Sequence, residues 1–599
     1  MKIKFYTRRS RTLEKLIKRP WLYSIEVHIM NKFKKAVLLF SALLLLTLMP
    51  IASTLRLRAQ QEERYFFTLH LMVPKGNIIR QNVGEVLTSE FPKIGIKLEL
   101  HIIDFSEWLD RARGAPKTWE EGGYDLFLVQ TGYGFDPTGM RTFFHSEGGL
   151  NIFNFSNGVF DKLLDEGDKT IDPAEREKIY LKASEILYYE LPVIPYWRVV
   201  NTFLLSADVK GFSPYYDTDG CNEWEIPGKD VVRYVQPSDA DNLNPIFMQT
   251  GYSVRAVGDP VYDSLVRYGE NWELEPHMAK SWEWINDTYI VFHLHENIRW
   301  HDGVPFTAED VKFTYETIMN KDVGAVDYSR FSEVIKRVDV IDDYTVGVAL
   351  NKPYAAFLDY IATQQIIPKH ILEDVPPADL VNHWTNTGEG GRYPIGTGPY
   401  KIVEWKVDEY IKLVANEDYF MGAPKTKEIY MMVIPESATA LAALQKGDVD
   451  ILNDWFGWTP EQINETKQNP KLTTASYPIP GPQLIGINCG HPILSNRYVR
   501  WAINYIIPRE KIIKELCGGV AGREAYQYLA PETLGHNPNL PKVEYSIEKA
   551  KEYMELAGYN YEWLEPPPPP PAITTTGIAI AVICLVVGIA IGFVIGKRR

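Results

Sequence analysis

Cysteine is scarce, with four residues in a chain of 599. No two of them stand in a CxxC pair, which excludes a zinc ribbon or a thioredoxin motif. Cys221, Cys489 and Cys517 lie outside the final apolar run, and a Cys489–Cys517 bridge stays open for an exported chain. The GxSxG elbow, the HExxH helix, the P-loop and the dinucleotide glycine fingerprint are also missing, so several common enzyme classes lose their markers. Basic charge is in short supply. The formal net charge is −14, and within residues 60–596 acids exceed bases by about 28. So acidic a segment argues against nucleic-acid binding, which needs a basic surface.

Long apolar runs number two. The first, residues 36–52, follows Lys32, Lys34 and Lys35 and has the form of a secretory signal, with cleavage expected between Ala52 and Ala59. An uncleaved N-terminal anchor is the alternative, and Met30 opens a better signal than Met1. The second, residues 573–595, is uncharged, long enough to span a bilayer, and followed by Lys597, Arg598 and Arg599. The positive-inside rule then puts the C-terminus in the cytoplasm and the rest outside, a single-pass protein of the cell membrane. Pro566 to Pro571 precede it and favour a stiff polyproline spacer.

Between these runs the pattern alternates. Strand-like segments at 64–73, 96–103 and 124–130 are interleaved with helical ones at 78–89, 104–113, 159–167 and 172–190, which predicts helices on a mostly parallel sheet. Asp172-Pro173 supplies an N-cap and an N1 proline. Residues 276–349 read instead as short alternating strands. Inside them, Thr307 and Asp310 form a capping box that predicts a helix over 308–319. A further α/β stretch fills 429–559, with helices near 438–445, 496–504, 509–516 and 547–556.

Ala279-Lys-Ser-Trp282, the strand 289–294 and Trp300-His-Asp-Gly-Val-Pro-Phe-Thr-Ala-Glu-Asp-Val311 together resemble the signature of the family 5 ABC solute-binding proteins, the peptide, nickel and oligosaccharide class. Pro394-Ile-Gly-Thr-Gly-Pro-Tyr400 and Lys446-Gly-Asp-Val-Asp-Ile451 resemble two more landmarks of that family. The resemblance implies an α/β, two-lobed periplasmic-binding-protein-like fold of type II with an extra accessory domain. One departure is large. Stretches like 94–195 close the chain in that family and here come first, so a circular permutation is expected, with a scrambled fusion of two binding proteins as the competing account. The expected division is a signal segment 1–60, one lobe from 193–275 with 393–455, the other from 65–192 with 456–560, an accessory domain 276–392, a proline linker 561–572 and a transmembrane helix 573–596.

Ligands of such proteins lie between the lobes. The glycine-rich loop after the strand 124–130 brings Gln130, Thr131, Gly132, Tyr133 and Asp136 to a sheet's carboxyl end, where α/β proteins place ligands. The resemblance puts Tyr133 where short-peptide binders carry an acid for the α-amino group, which weakens that specificity. Asn453, Asp454, Trp455 and Trp458 lie on a segment expected to cross between lobes. Their two indoles beside polar groups suit a sugar, although each tryptophan is as readily core. Tyr252 and Asn488 occupy similar positions in the family pattern. His293, His295 and His301 invite a metal, but the resemblance gives such histidines a structural place, so no metal or other cofactor is expected.

The expected function is therefore capture of a peptide or an oligosaccharide by lobe closure and delivery to ABC permease subunits, without catalysis. A membrane-anchored glycoside hydrolase, needing two carboxylates about 5 to 9.5 Å apart across the cleft, or a surface adhesin are the alternatives.

Overall fold

The computed structural model describes residues 64–130 and 136–564. The expected signal, the loop residues Thr131, Gly132 and Tyr133, the proline spacer and the apolar run 573–595 lie outside the described residues. Among the described residues no helix is long and apolar enough to cross a membrane.

Strands β1 (Phe67–Pro74), β2 (Ile96–Ile103), β3 (Leu126–Gln130), β4 (Val193–Ser206) and β5 (Val231–Gln236) open the chain. Next, β6 (Val266–Tyr268) and β7 (Leu274–Pro276) form a two-stranded ribbon, and β8 (Ala279–Asn286), β9 (Tyr289–Leu294), β10 (Ile335–Asp342) and β11 (Thr345–Leu350) a separate antiparallel sheet. The chain then returns with β12 (Tyr400–Lys406), β13 (Tyr410–Ala415), β14 (Glu428–Val433), β15 (Ile451–Leu452), β16 (Leu472–Ile487) and β17 (Gly522–Glu524). The large sheet runs β12-β13-β14-β5-β15-β4-β16-β3-β1-β2, with β17 on β4. The N-terminal stretch thus shares one sheet with the remainder. Its β2-β1-β3 part is parallel, as the α/β alternation predicts, but β16 joins antiparallel to both β3 and β4, so the whole is mixed.

Two long strands hold this sheet together. β4 pairs with β16 from Val193 to Ser206, and the register slips between Pro478 and Pro482. Three prolines, Pro478, Pro480 and Pro482, fall in that stretch, and with no amide hydrogen they cannot continue a ladder. The slip divides the sheet. On one side Phe203 packs among residues of β5, β13 and β14, in a core that runs on into Ile290, Phe292, Val346 and Val348 of the antiparallel sheet, while Leu204 packs in a second cluster with Val235 and Leu452. On the other side Leu69, Leu71, Leu126, Leu128 and Ile485 lie under the helices Arg497–Tyr505, Arg509–Leu516 and Ile547–Leu556, with Met72, Phe127, Phe144 and Phe160 on the opposite face. Trp458 and Ile463 pack with Leu441, Leu444 and Leu472. The chain therefore stays with the first half until Pro478–Pro482, later than the crossing at 450–458 expected from sequence.

Local chemistry explains two landmarks. The helix Ala308–Met319 starts where the Asp310 carboxylate accepts from Thr307 N–H at 2.9 Å. Gly396 and Gly398 lie on the backbone of Pro260 and Val261, where an added Cβ at Gly396 would come within 1.8 Å of the Val261 carbonyl oxygen. His301 joins these landmarks: Gly396 N–H donates to Nδ1 at 3.2 Å, and Nε2 donates to the Gly398 carbonyl at 3.0 Å. Burial pushes this imidazole down to about 4, so it is neutral at physiological pH. His293 faces Glu283 at 3.5 Å and His295 lies beside the Phe420 ring. The three described cysteines are free thiols, so Cys489 and Cys517 are not bridged.

Candidate functional site

A cleft of about 420 Å³ opens over the β4–β16 crossing. Its walls come from the turn after β1 and the N-terminus of the helix Ile78–Glu90, the end of β3, the middle of β4 and the segment after β15. The carboxyl ends of β1 and β3 point to it, which is where open α/β sheets leave room for ligands. One wall is a chain of amides. Arg80 Nε donates to Gln483 Oε1 at 3.1 Å, Gln483 Nε2 to Gln130 Oε1 at 2.9 Å, and Gln130 Nε2 to the Gly481 carbonyl at 3.4 Å. Burial holds the Arg80 guanidinium below its ordinary value.

The facing wall is built on Asp454. Its carboxylate accepts from Tyr477 Oη and Asn201 Nδ2, each at 2.8 Å, and from Arg255 Nη1 at 2.5 Å. Arg255 also reaches Asp217 through Nε at 2.7 Å and lies flat on Trp455, 3.9 Å from the ring centroid. Burial pushes the Asp217 carboxyl up to about 7 against the pull of Arg255. The guanidinium itself is held well above its usual range, because Asp217 and Asp454 outweigh the effect of burial. Tyr252 meets Trp455 edge to face at 4.9 Å. Gly251 is obligatory beneath that ring: a Cβ there would lie 2.0 Å from Trp455 Cη2.

Of the residues expected from sequence, Gln130, Asp454 and Trp458 come together around this cleft. Trp455, 37% exposed, and Tyr252 stand beside them. The rest are spent inside the protein. Asn453 has no exposed surface; its side chain accepts from Trp455 N–H and donates to Tyr234 Oη. Asn488 is equally buried and donates to the carbonyls of Pro116, Lys117 and Tyr124, so it pins a loop. Asp136 is paired through both carboxylate oxygens with buried Arg176, Nη2 to Oδ1 at 2.8 Å. Trp458 is 6% exposed, its indole N–H donating to the Asn453 carbonyl at 3.0 Å. Thr131, Gly132 and Tyr133 fall outside the described residues. Asn77, Trp197, Asn201 and Gln483 line the cleft and were not anticipated. Trp197, Val199, Val200, Asn201 and Thr202 of β4 line it nearly in succession, so no strand alternation marks them in the sequence.

The family model described as bacterial extracellular solute-binding proteins, family 5 Middle, matches residues 273–576, just over half the chain. The oligopeptide-binding protein AppA of Bacillus subtilis is 34% identical over 270 residues, 44% of this chain and 47% of that protein. The dipeptide-binding protein of Escherichia coli K12 is 27% identical over 354 residues, 56% and 64% of the two chains. Among solved structures, Bacillus subtilis AppA in complex with a nonapeptide aligns at 26% identity and a TM-score of 0.41, covering 55% of this chain and 64% of that one. The chain spans about half the length of the curated relatives it matches. It belongs to the bacterial extracellular solute-binding proteins of family 5.

Proposed function

We propose that this chain is the solute-capturing subunit of an ABC importer, held outside the cell membrane by the apolar run 573–595, and that its solute is a peptide. The observation that carries the reading is the amide-lined cleft over the crossing of β4 and β16. Two half-sheets connected through a proline-interrupted strand pair can turn about it, and a solute touching both halves stabilises the closed form. That form would dock on a membrane permease. The curated relatives named for oligopeptide and dipeptide binding support a peptide. Side chains do too: Gln130 and Gln483 each keep a second N–H and a second lone pair beyond the bonds within the wall, and Asn201 keeps its carbonyl oxygen, the complement of a peptide backbone. A sugar would want an open indole face, but Trp455 already carries Arg255 on one face and Trp458 is buried.

The chain order is proposed to be a circular permutation. β4, from the N-terminal block, is the central strand between β15 and β16. A sequential match can follow only one of two exchanged blocks, consistent with coverage of 44 to 56% of this chain. Moving residues 65–226 to follow residue 565 should then yield a protein with the same melt and the same ligands.

Mass spectrometry of what co-purifies, followed by titration with peptides of two to ten residues and with oligosaccharides, tests the solute. Small-angle scattering tests closure. Oligosaccharides alone would replace the peptide; no compaction with any bound solute would overturn capture by closure.

A further inference from the structure

Away from the cleft, at the outer edge of the large sheet, three metal-ligating side chains converge. β1 and β2 are parallel and in register, His70 opposite Glu99 and Met72 opposite His101. Residues paired across parallel strands point to the same face, as do residues two apart. Register alone therefore gathers His70, Glu99 and His101 on one side of the sheet. Their donor atoms lie within 4.8 Å of one another. His70 Nδ1 is 2.9 Å from His101 Nε2 and 3.7 Å from Glu99 Oε2.

The surroundings fix this arrangement. His70 is 8% exposed, and its other ring nitrogen, Nε2, faces Glu120 Oε1 at 3.2 Å. A carboxylate on the far nitrogen, the outer-sphere arrangement typical of metal-bound histidines, keeps the proton there and leaves Nδ1 with a lone pair, which without a metal accepts from His101 Nε2–H. Trp119 stacks on His101 at 4.0 Å and is held from behind by Arg111, 3.8 Å from the ring centroid. Asp125 ties that loop to β1 by accepting from both His70 N–H and Trp119 N–H at 2.9 Å.

We propose that His70, Glu99 and His101 bind one divalent transition-metal ion of the zinc class, with Glu120 orienting His70. Two imidazoles and a carboxylate suit such an ion better than calcium or magnesium, which take oxygen ligands. Ligands about 2.05 Å from a tetrahedral zinc are separated by roughly 3.3 Å, so the imidazoles part by about 0.4 Å, and Glu99, 3.7 Å from His70 and within 4.8 Å of His101, swings inward by a side-chain rotation. His101 carries its proton on Nδ1 in the bound form. Glu99 keeps Lys97 on its other oxygen, Oε1. Three protein ligands leave a fourth position for water beside the Trp119 indole. The site clamps residues 117–125 to the sheet edge, and it does not depend on the solute reading.

The test uses the full chain without a polyhistidine tag, titrated calorimetrically with zinc chloride and followed by cobalt(II) absorption. One equivalent is expected, with tetrahedral cobalt bands. His101→Gln and Glu99→Gln should each weaken binding at least tenfold, and Glu120→Gln roughly ten- to a hundredfold with stoichiometry kept. His293→Gln should change nothing. Glu99 is 39% exposed, so its variant folds even if that of His101 does not, and a metal-free melt identifies folded variants. No binding below 100 µM, or unchanged zinc affinity in Glu99→Gln, would overturn the proposal.

Discussion

Arg255→Met should destabilise the protein strongly at pH 8.5 and less as the pH falls. Arg255 bridges Asp217 and Asp454, with side-chain exposures of 11%, 10% and 0%. Methionine keeps the bulk and removes the cation, leaving two buried carboxylates with only the neutral donors Tyr234, Tyr477 and Asn201. Breaking a buried pair from one side costs about 3–5 kcal/mol, and the lost stack on Trp455 is part of that. The pH dependence follows from Asp217. Its folded value, about 7, lies above the ordinary carboxyl value of 3.8, so the folded state takes up a proton that the unfolded state does not. The contribution of Asp217 to wild-type stability therefore rises as pH falls through 7 and levels off near 4, by at most about 4 kcal/mol at 1.36 kcal/mol per decade. Without Arg255 the carboxyl rises further, so the variant gains more from acid, beginning at higher pH. Calorimetric melts at pH 8.5, 7.0 and 5.5 should show the gap between the two proteins narrowing. A constant or widening gap would refute the electrostatic account of this cluster.

Asn488→Ala removes the side-chain donor from the Pro116, Lys117 and Tyr124 carbonyls, of which Lys117 keeps Tyr124 N–H; at about 1–3 kcal/mol for an unsatisfied buried group it should lower the melting midpoint by about 1–3 °C while solute affinity is unchanged, and calorimetry and titration together check both halves. Gly251→Ala drives a methyl into the Trp455 ring, so tryptophan emission should shift and stability fall by about 1–3 kcal/mol. Gln483→Leu removes the central amide of the cleft wall; solute affinity should fall about tenfold, the worth of one hydrogen bond, as read by titration calorimetry.

Where the signal was local, the sequence was legible. The helices Ala308–Met319, Arg509–Leu516 and Ile547–Leu556 begin and end where periodicity and caps place them, and Asp172 caps Pro173–Glu190 by accepting from Glu175 N–H. Where a side chain's role depends on distant backbone, it was not. Asn488 looks like a ligand contact until the carbonyl of Pro116, 372 residues away in the chain, is brought to it. Asp136 looks free until Arg176 arrives. The sheet likewise read as parallel because neighbours in sequence are parallel, whereas β16 reaches β3 from far along the chain. Trp455 and Trp458 were equal candidates for a sugar platform, and only packing separates them. His70, Glu99 and His101 are scattered letters until the β1–β2 register is known.

The pairing of Ile194 with Ile485 has a consequence for synthesis. About 290 residues separate them, and a ribosome adding about 5–20 residues per second needs roughly 15–60 s to cover that interval. Throughout it the nascent chain displays a hydrophobic strand whose neighbour has not yet been made. Until β16 emerges, β4 is thus the segment of this fold most exposed to wrong pairing.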